Sequence, residues 1–215
     1  MARAVISTEN TLADRLLARR VLRTPAIISA FRAIDRADFV PCAIRRMAYV
    51  DEALPIGFGQ TISQPYTVAF MLELLAPKAG EHILDIGSGS GWTTALLAAI
   101  AGSRGEVYGV EIVSELVAFG RNNIAKYELP QAKIVQADAH ALGLPSRAPF
   151  DRILVSAACS FLPEELVAQL VIGGVMVLPV RDAIWQVTRV PSGKAAQTGM
   201  VIRKFEGFAF VPLRR

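Results

Sequence analysis

Hydrophobic and polar positions recur along this 215-residue chain with more than one period, and each change of period marks a new element. Over 11–40, Leu12, Leu16, Leu17 and Val21, then Ile27, Ile28, Phe31 and Ile34, repeat at the spacing of one helix face. Thr24 and Pro25 interrupt that run, which predicts two short helices forming an N-terminal layer. Between 49 and 65 the chain holds two prolines and two glycines among few charges, the composition of an ordered loop rather than a helix. A helix over 66–75 follows. Short apolar runs then alternate with helical stretches: a strand over 83–86, a turn over 87–91, a helix over 93–100 and a strand over 106–111. The same grammar predicts a helix over 114–127, strands over 133–136 and 152–156, a helix over 164–170 and a strand over 175–179. Further strands are expected over 183–190, 200–205 and 208–213, with Pro-Ser-Gly at 191–193 as a turn.

Apolar strands alternating with helices need cover on both faces of the sheet. The predicted class is therefore α/β: a Rossmann-like, doubly wound, mostly parallel sheet with helices on both faces, an N-terminal helical extension and antiparallel C-terminal edge strands. With no internal repeat and no long linker, one domain is expected. Its parts are an N-terminal layer and loop (1–65), a core (66–180) and a tail (181–215).

With 53% apolar and 20% charged residues, a sizeable core can form and intrinsic disorder does not fit. The longest apolar stretches, over 95–102 and 170–180, are too short to span a bilayer, so no membrane partner is expected. Arg3, Glu9, Asp14 and Arg15 precede any long apolar run, which is unlike a secretory signal. Cys42 and Cys159 stand 117 positions apart, without disulfide-framework or CxxC spacing. A cytoplasmic, reducing location is the expectation. His82 and His140 are too far apart to form a recognisable ligand motif, so no metal is expected. The net charge of +4 is uneven: nine arginines face four acids in the first 50 residues, leaving −1 for the rest. That excess fits the solvated faces of amphipathic helices better than a nucleic-acid patch, and a monomer is expected.

Candidate chemistry centres on the first strand-to-helix turn, where an open parallel sheet brings its ligand closest. Asp85 precedes the turn, and Gly87, Ser88, Gly89, Ser90 and Gly91 form it. The glycines let the chain fold back and let backbone groups touch a ligand. Glu111 ends the next strand, 20 residues beyond Gly91, where a carboxylate can accept both hydroxyls of a ribose, with Ile112 beside it. Asp138, next to Ala139, follows a later strand and can accept an adenine amino hydrogen; its alternative is a turn cap. Trp92 occupies the third glycine position of the dinucleotide fingerprint, and no Gly-Lys-Thr or Gly-Lys-Ser follows. The spacing Asp-Ile-Gly-Ser-Gly-Ser-Gly instead resembles the motif of class I methyltransferases. That resemblance implies S-adenosyl-L-methionine as cofactor, whose cationic sulfonium suits an acidic, glycine-lined pocket.

Several separated blocks carry a closer resemblance. They are Arg-Ala-Asp-Phe-Val-Pro at 36–41, Ala-Tyr-Val-Asp-Glu-Ala-Leu-Pro-Ile-Gly at 48–57, Gly-Gln-Thr-Ile-Ser-Gln-Pro-Tyr at 59–66, Ala-Pro-Phe-Asp-Arg-Ile-Leu-Val at 148–155, Gly-Gly-Val-Met-Val-Leu-Pro at 173–179 and Phe-Val-Pro-Leu at 210–213. Together with the glycine turn they resemble the protein-L-isoaspartate O-methyltransferases from about residue 16 to 213, and the 60–65 block is the most specific. The resemblance implies methyl transfer from S-adenosyl-L-methionine to the free α-carboxylate of L-isoaspartyl residues in damaged proteins and peptides, initiating repair through a succinimide. By motif match it implies Ser63 at the catalytic position, Thr61 and Ile62 bordering the cofactor, and Ile62, Ser63, Tyr66, Val211 and Leu213 bordering the peptide. The chain departs from the family pattern at Trp92, Ala137, Ala139, Arg181 and Ala209. Two other readings are a methyltransferase acting on a small molecule or RNA, and a non-catalytic module that binds cofactor or peptide.

Overall fold

The computed structural model describes residues 11–192 and 199–213. Its centre is a seven-stranded sheet built from β3 (His82–Ile86), β4 (Glu106–Glu111), β5 (Ala132–Gln136), β6 (Phe150–Val155), β7 (Leu170–Val180), β8 (Ala183–Arg189) and β9 (Met200–Glu206). The spatial order is β5-β4-β3-β6-β7-β8-β9. The first five pair in parallel, while β7–β8 and β8–β9 pair antiparallel, as the sequence predicts. Strand order reverses between β3 and β6, which opens a crevice beyond their carboxyl ends.

Successive side chains of one strand point to opposite faces. Ile83 joins one apolar cluster with the helices α1 (Leu12–Ala18), α2 (Pro25–Ala33), α3 (Pro65–Leu75), α4 (Trp92–Ala101) and α5 (Ser114–Ile124), and Leu84 and Ile86 join a second. The second face is covered by the short α6 (Glu164–Ala168), through Leu166 and Val167, and by loop residues such as Leu142 and Leu144. Thr11 and Asp14 form a reciprocal capping box at α1, and Pro25 opens α2. The predicted second helix ends earlier than residue 40. Asp35 instead caps a 3-10 turn, Arg36–Phe39, which is followed by another, Cys42–Met47.

Three further elements differ from the sequence expectation. The ordered loop over 49–65 contains a hairpin, β1 (Leu54–Gly57) and β2 (Gln60–Ile62), whose tip residues Gly57, Phe58 and Gly59 all have positive φ. Strand β7 begins at Leu170, and the register shift between Phe150 and Arg152 absorbs the glycines at 173 and 174. Residues 208–213 do not add an edge strand. Gly207, at φ +92, turns the chain away from β9, and Pro212 has no N–H for a ladder. The segment crosses the strand ends instead, where Ala158 N donates to Val211 O at 2.8 Å and Leu213 N to Ala158 O at 2.9 Å. Of the predicted turn at 191–193, Gly193 lies outside the described residues.

Candidate active site

The crevice at the strand reversal is lined chiefly by the loop of β2 (Gln60, Thr61, Ile62, Ser63), the glycine turn (Gly87, Ser88, Gly89, Ser90), the ends of β4 and β5 with the following loop, and the tail (Val211, Pro212, Leu213). The turn takes its shape from its own backbone bonds. Gly87 N and Ser88 N both donate to Val110 O, at 2.8 and 3.1 Å, and Gly91 N donates to Ser88 O at 2.8 Å. Gly87, Gly89 and Gly91 all lie at positive φ, where a side chain is strained. Space is also tight. A Cβ on Gly91 would stand 3.0 Å from Ile134 Cδ1 and 3.2 Å from Gly120 O, and one on Gly89 would stand 3.2 Å from Ile56 Cδ1 of the hairpin. The last contact shows the hairpin packed directly on the turn.

Glu111 is 5% exposed and already holds part of this frame: Oε2 accepts Gly89 N at 2.9 Å, and Oε1 accepts Ile112 N and Val113 N, each at 2.9 Å. Its carboxylate has about four acceptor sites, so three backbone bonds leave capacity for a hydroxyl. Asp138 faces the same cleft with Ala139 and uses Oδ1 to accept His140 N at 2.8 Å, the turn-capping alternative; its other oxygen carries no hydrogen bond among the described residues. The buried Ser88 hydroxyl also has no hydrogen-bond partner among the described residues. An acidic cleft with a glycine cradle and an unpartnered buried hydroxyl fits a cationic nucleoside ligand.

Ser63 is half-buried just after β2 and lines the same crevice. Gln64, not Ser63, occupies the N-cap of α3 and makes no side-chain cap bond, so the Ser63 hydroxyl is not consumed in capping. Ile62 is buried beside it.

Three residues expected at the site lie outside the cleft lining. Asp85 stands behind the turn, fully buried, with Oδ2 accepting Thr93 Oγ1 at 2.7 Å and Thr94 Oγ1 at 2.6 Å. It joins β3 to the first turn of α4 rather than reaching the cleft. Burial pushes its carboxyl up to about 6 against the lowering effect of the two hydroxyls, with a smaller push from Glu111. Gly91 is the N-cap of α4 and faces Ile134 and Gly120. Tyr66 turns toward the N-terminal layer: its N–H donates to Asp51 Oδ1 at 2.8 Å, and Arg19 lies 4.4 Å above its ring. The sequence reading missed Ser156 and Ala157 beyond β6, and His140, Leu142, Gly143 and Glu165 on the side of β5 and α6. Ser156 and Ala157 follow a strand that borders the reversal, a signal present once strand order is known. His140, Leu142 and Gly143 sit in irregular chain with no period to mark them, and Glu165, although in α6, belongs to no motif that sets it apart.

The family model for protein-L-isoaspartate(D-aspartate) O-methyltransferase matches residues 7–215. A protein-L-isoaspartate O-methyltransferase of Anaeromyxobacter dehalogenans strain 2CP-1 is 50% identical over 163 residues, covering 75% of this chain and 76% of that protein. The Methanopyrus kandleri protein of the same name is 40% identical over 206 residues, covering 94% and 89%. Among solved structures, a Plasmodium falciparum chain described as a protein-L-isoaspartate O-methyltransferase, in complex with S-adenosyl-L-homocysteine, superposes with a TM-score of 0.82 at 25% identity, covering 94% of this chain and 96% of that one. A cleft at the strand reversal, a glycine turn tied to a strand-end glutamate, and matches along almost the whole sequence lead to one assignment: the chain belongs to the S-adenosylmethionine-dependent protein-L-isoaspartate(D-aspartate) O-methyltransferase family.

Proposed function

We propose that this family's reaction, methyl transfer to the free α-carboxylate of an L-isoaspartyl residue, takes place here between the glycine turn and Ser63, with Ser63 holding the acceptor. The observation that carries the reading is the Ser63 residue, half-buried in the lining of the crevice it shares with Gly87–Ser90 and not used as a helix cap. The cofactor supplies an electrophilic methyl group when bound. Gly87, Ser88, Gly89, Ser90, Glu111, Ile112, Asp138 and Ala139 would hold it, with Thr61 and Ile62 closing the other side; Asp85 and Gly91 serve from behind by fixing the turn.

The acceptor explains why the cleft needs no general base. A carboxylate is ionised at pH 7, so no proton has to be removed before it attacks. What remains is placement and exclusion of water. Ser63 donates a hydrogen bond to one carboxylate oxygen and thereby aims the other into the cleft. Ile62, Val211 and Leu213 supply apolar cover, the tail being held across the opening by its two bonds to Ala158. The protein acts as a monomer, and as one domain whose N-terminal layer, core and tail each contribute to the cleft or its support. No described helix is long and apolar enough to cross a membrane. Both cysteines are free thiols, the form kept in a reducing compartment, which supports a cytoplasmic site of action.

Ser63→Ala is expected to lower kcat for an isoaspartyl peptide by about tenfold to a hundredfold. The affinity for S-adenosylhomocysteine, read by isothermal titration, should stay within about threefold, since the Ser63 side chain is not among its proposed contacts. Lost cofactor-product binding with unchanged turnover at saturation would refute the assignment.

A further inference from the structure

We infer that Arg36 is the positioning residue of this active site, gripping the main chain on both sides of the Ser63 Cα and so aiming its hydroxyl into the cleft. The inference rests on the assignment of Ser63 above. Arg36 lies in the 3-10 turn Arg36–Phe39, is 1% exposed, and does not line the cleft. Its Nη1 donates to Ala48 O at 2.7 Å and Val50 O at 3.3 Å; its Nη2 donates to Glu52 O at 2.9 Å, Ile62 O at 3.4 Å and Ser63 O at 3.0 Å. Five carbonyls from two stretches of the loop therefore converge on one guanidinium. Ile62 O and Ser63 O belong to the successive peptide units that flank Ser63. Holding both with one nitrogen limits rotation about the Ser63 backbone, and hence the direction of its Cα–Cβ bond.

The other side of Arg36 is also fixed. Its guanidinium carbon lies 5.3 Å from the ring centroid of Trp92, the first residue of α4 after the glycine turn. The 3-10 turn that carries it is fastened to the chain just beyond α5: Tyr127 Oη accepts Asp35 N at 3.0 Å and donates to Asp38 Oδ2 at 2.8 Å, and the Phe39 and Tyr127 rings stack at 5.8 Å. Arg36 thus sets the distance between the cofactor-side helix and the loop that carries Ser63. A guanidinium is suited to this because its planar fork presents five donors in fixed directions. Burial is the cost: it lowers the Arg36 pKa to about 10, opposed by the charge of Asp51, and the group stays cationic at neutral pH. Among the described residues, carbonyl dipoles and no hydrogen-bonded carboxylate satisfy its two terminal nitrogens.

Arg36→Lys keeps the charge but offers a single nitrogen, which cannot reach both ends of the loop at once. The variant is expected to lose about tenfold to a hundredfold in kcat on an isoaspartyl peptide, with S-adenosylhomocysteine affinity within about threefold of the parent. The deciding comparison is a double-mutant cycle. If Arg36 acts through Ser63, Ser63→Ala combined with Arg36→Lys turns over no more slowly than Ser63→Ala alone. Additive losses would overturn the proposal while leaving Ser63 in place; normal turnover of Ser63→Ala alone would instead sink the Ser63 assignment. Should Arg36→Lys fail to fold, native-state hydrogen exchange of the unmodified protein in low urea decides the matter. A gripping Arg36 makes the amides of 54–62 open together with those of 37–38. Opening of the 54–62 amides at lower urea than those of 37–38 would refute it.

Discussion

Asp85 illustrates a residue that serves the site without touching it. Both threonine hydroxyls of the first turn of α4 converge on its Oδ2, and its Oδ1 is buried without a hydrogen-bond partner among the described residues. With the carboxyl pushed up to about 6, the native state binds more protons than the unfolded chain between about pH 4 and 6. Asp85 therefore contributes a stability that declines as pH rises through that window and levels off above it. Asp85→Asn should remove this component. Urea midpoints measured from pH 4 to 7 are expected to show the parent losing stability relative to the variant up to about pH 6; parallel profiles would contradict it. Gly91 offers a second test on the same turn. Gly91→Ala combines a φ of +89 with a 3.2 Å approach to the Gly120 carbonyl, and a destabilisation of about 1–3 kcal/mol is expected by chemical denaturation. An unchanged midpoint would show that the turn relaxes freely.

At the scale of elements, the hairpin of β1 and β2 is the part on which the account leans most. Ile56 is 5% exposed and its Cδ1 stands 3.2 Å from where a Cβ on Gly89 would be, so it keys the Ser63 loop to the glycine turn. Ile56→Ala deletes buried methyl groups at that junction and should lower stability by about 2–4 kcal/mol while weakening S-adenosylhomocysteine binding. Thermal unfolding and calorimetry read the two effects, and stability loss without any change in binding would separate hairpin from turn. The hairpin itself was hard to read in the sequence. Its strands are four and three residues long, and its two-residue turn is spelled Phe-Gly rather than Asn-Gly or Asp-Gly. The core strands were legible because each is a short, continuous apolar run next to a helical period. Gly173 and Gly174 hid the start of β7, and the apolar spelling of 208–213 resembled a strand although Pro212 and Gly207 direct it across the strand ends. Within the site, the glycine turn, Glu111 and the Ser63 loop were readable from motif and spacing. Spacing alone could not show that Asp85 and Gly91 face inward or that Tyr66 points to Arg19, since those directions depend on packing among distant segments.

Across the whole molecule, the basic N-terminal layer proves to be a brace. Arg19, Arg32 and Arg45 pair with Asp51, Asp14 and Asp38, Arg15 donates to Tyr49 O, and Arg36 takes the loop carbonyls. Much of the positive excess is thereby engaged within the chain, and the layer supports the Ser63 loop from behind. The reversal between β3 and β6 places cofactor turn, loop and tail around one opening, so acceptor choice depends on how this opening presents a carboxylate. The most direct measurement is transfer of labelled methyl from S-adenosylmethionine to an isoaspartyl peptide and to its ordinary aspartyl twin, followed by mild base. The account predicts label on the isoaspartyl peptide alone, released by base as expected of a carboxyl ester. Equal labelling of the twins, or label that survives base, would contradict it.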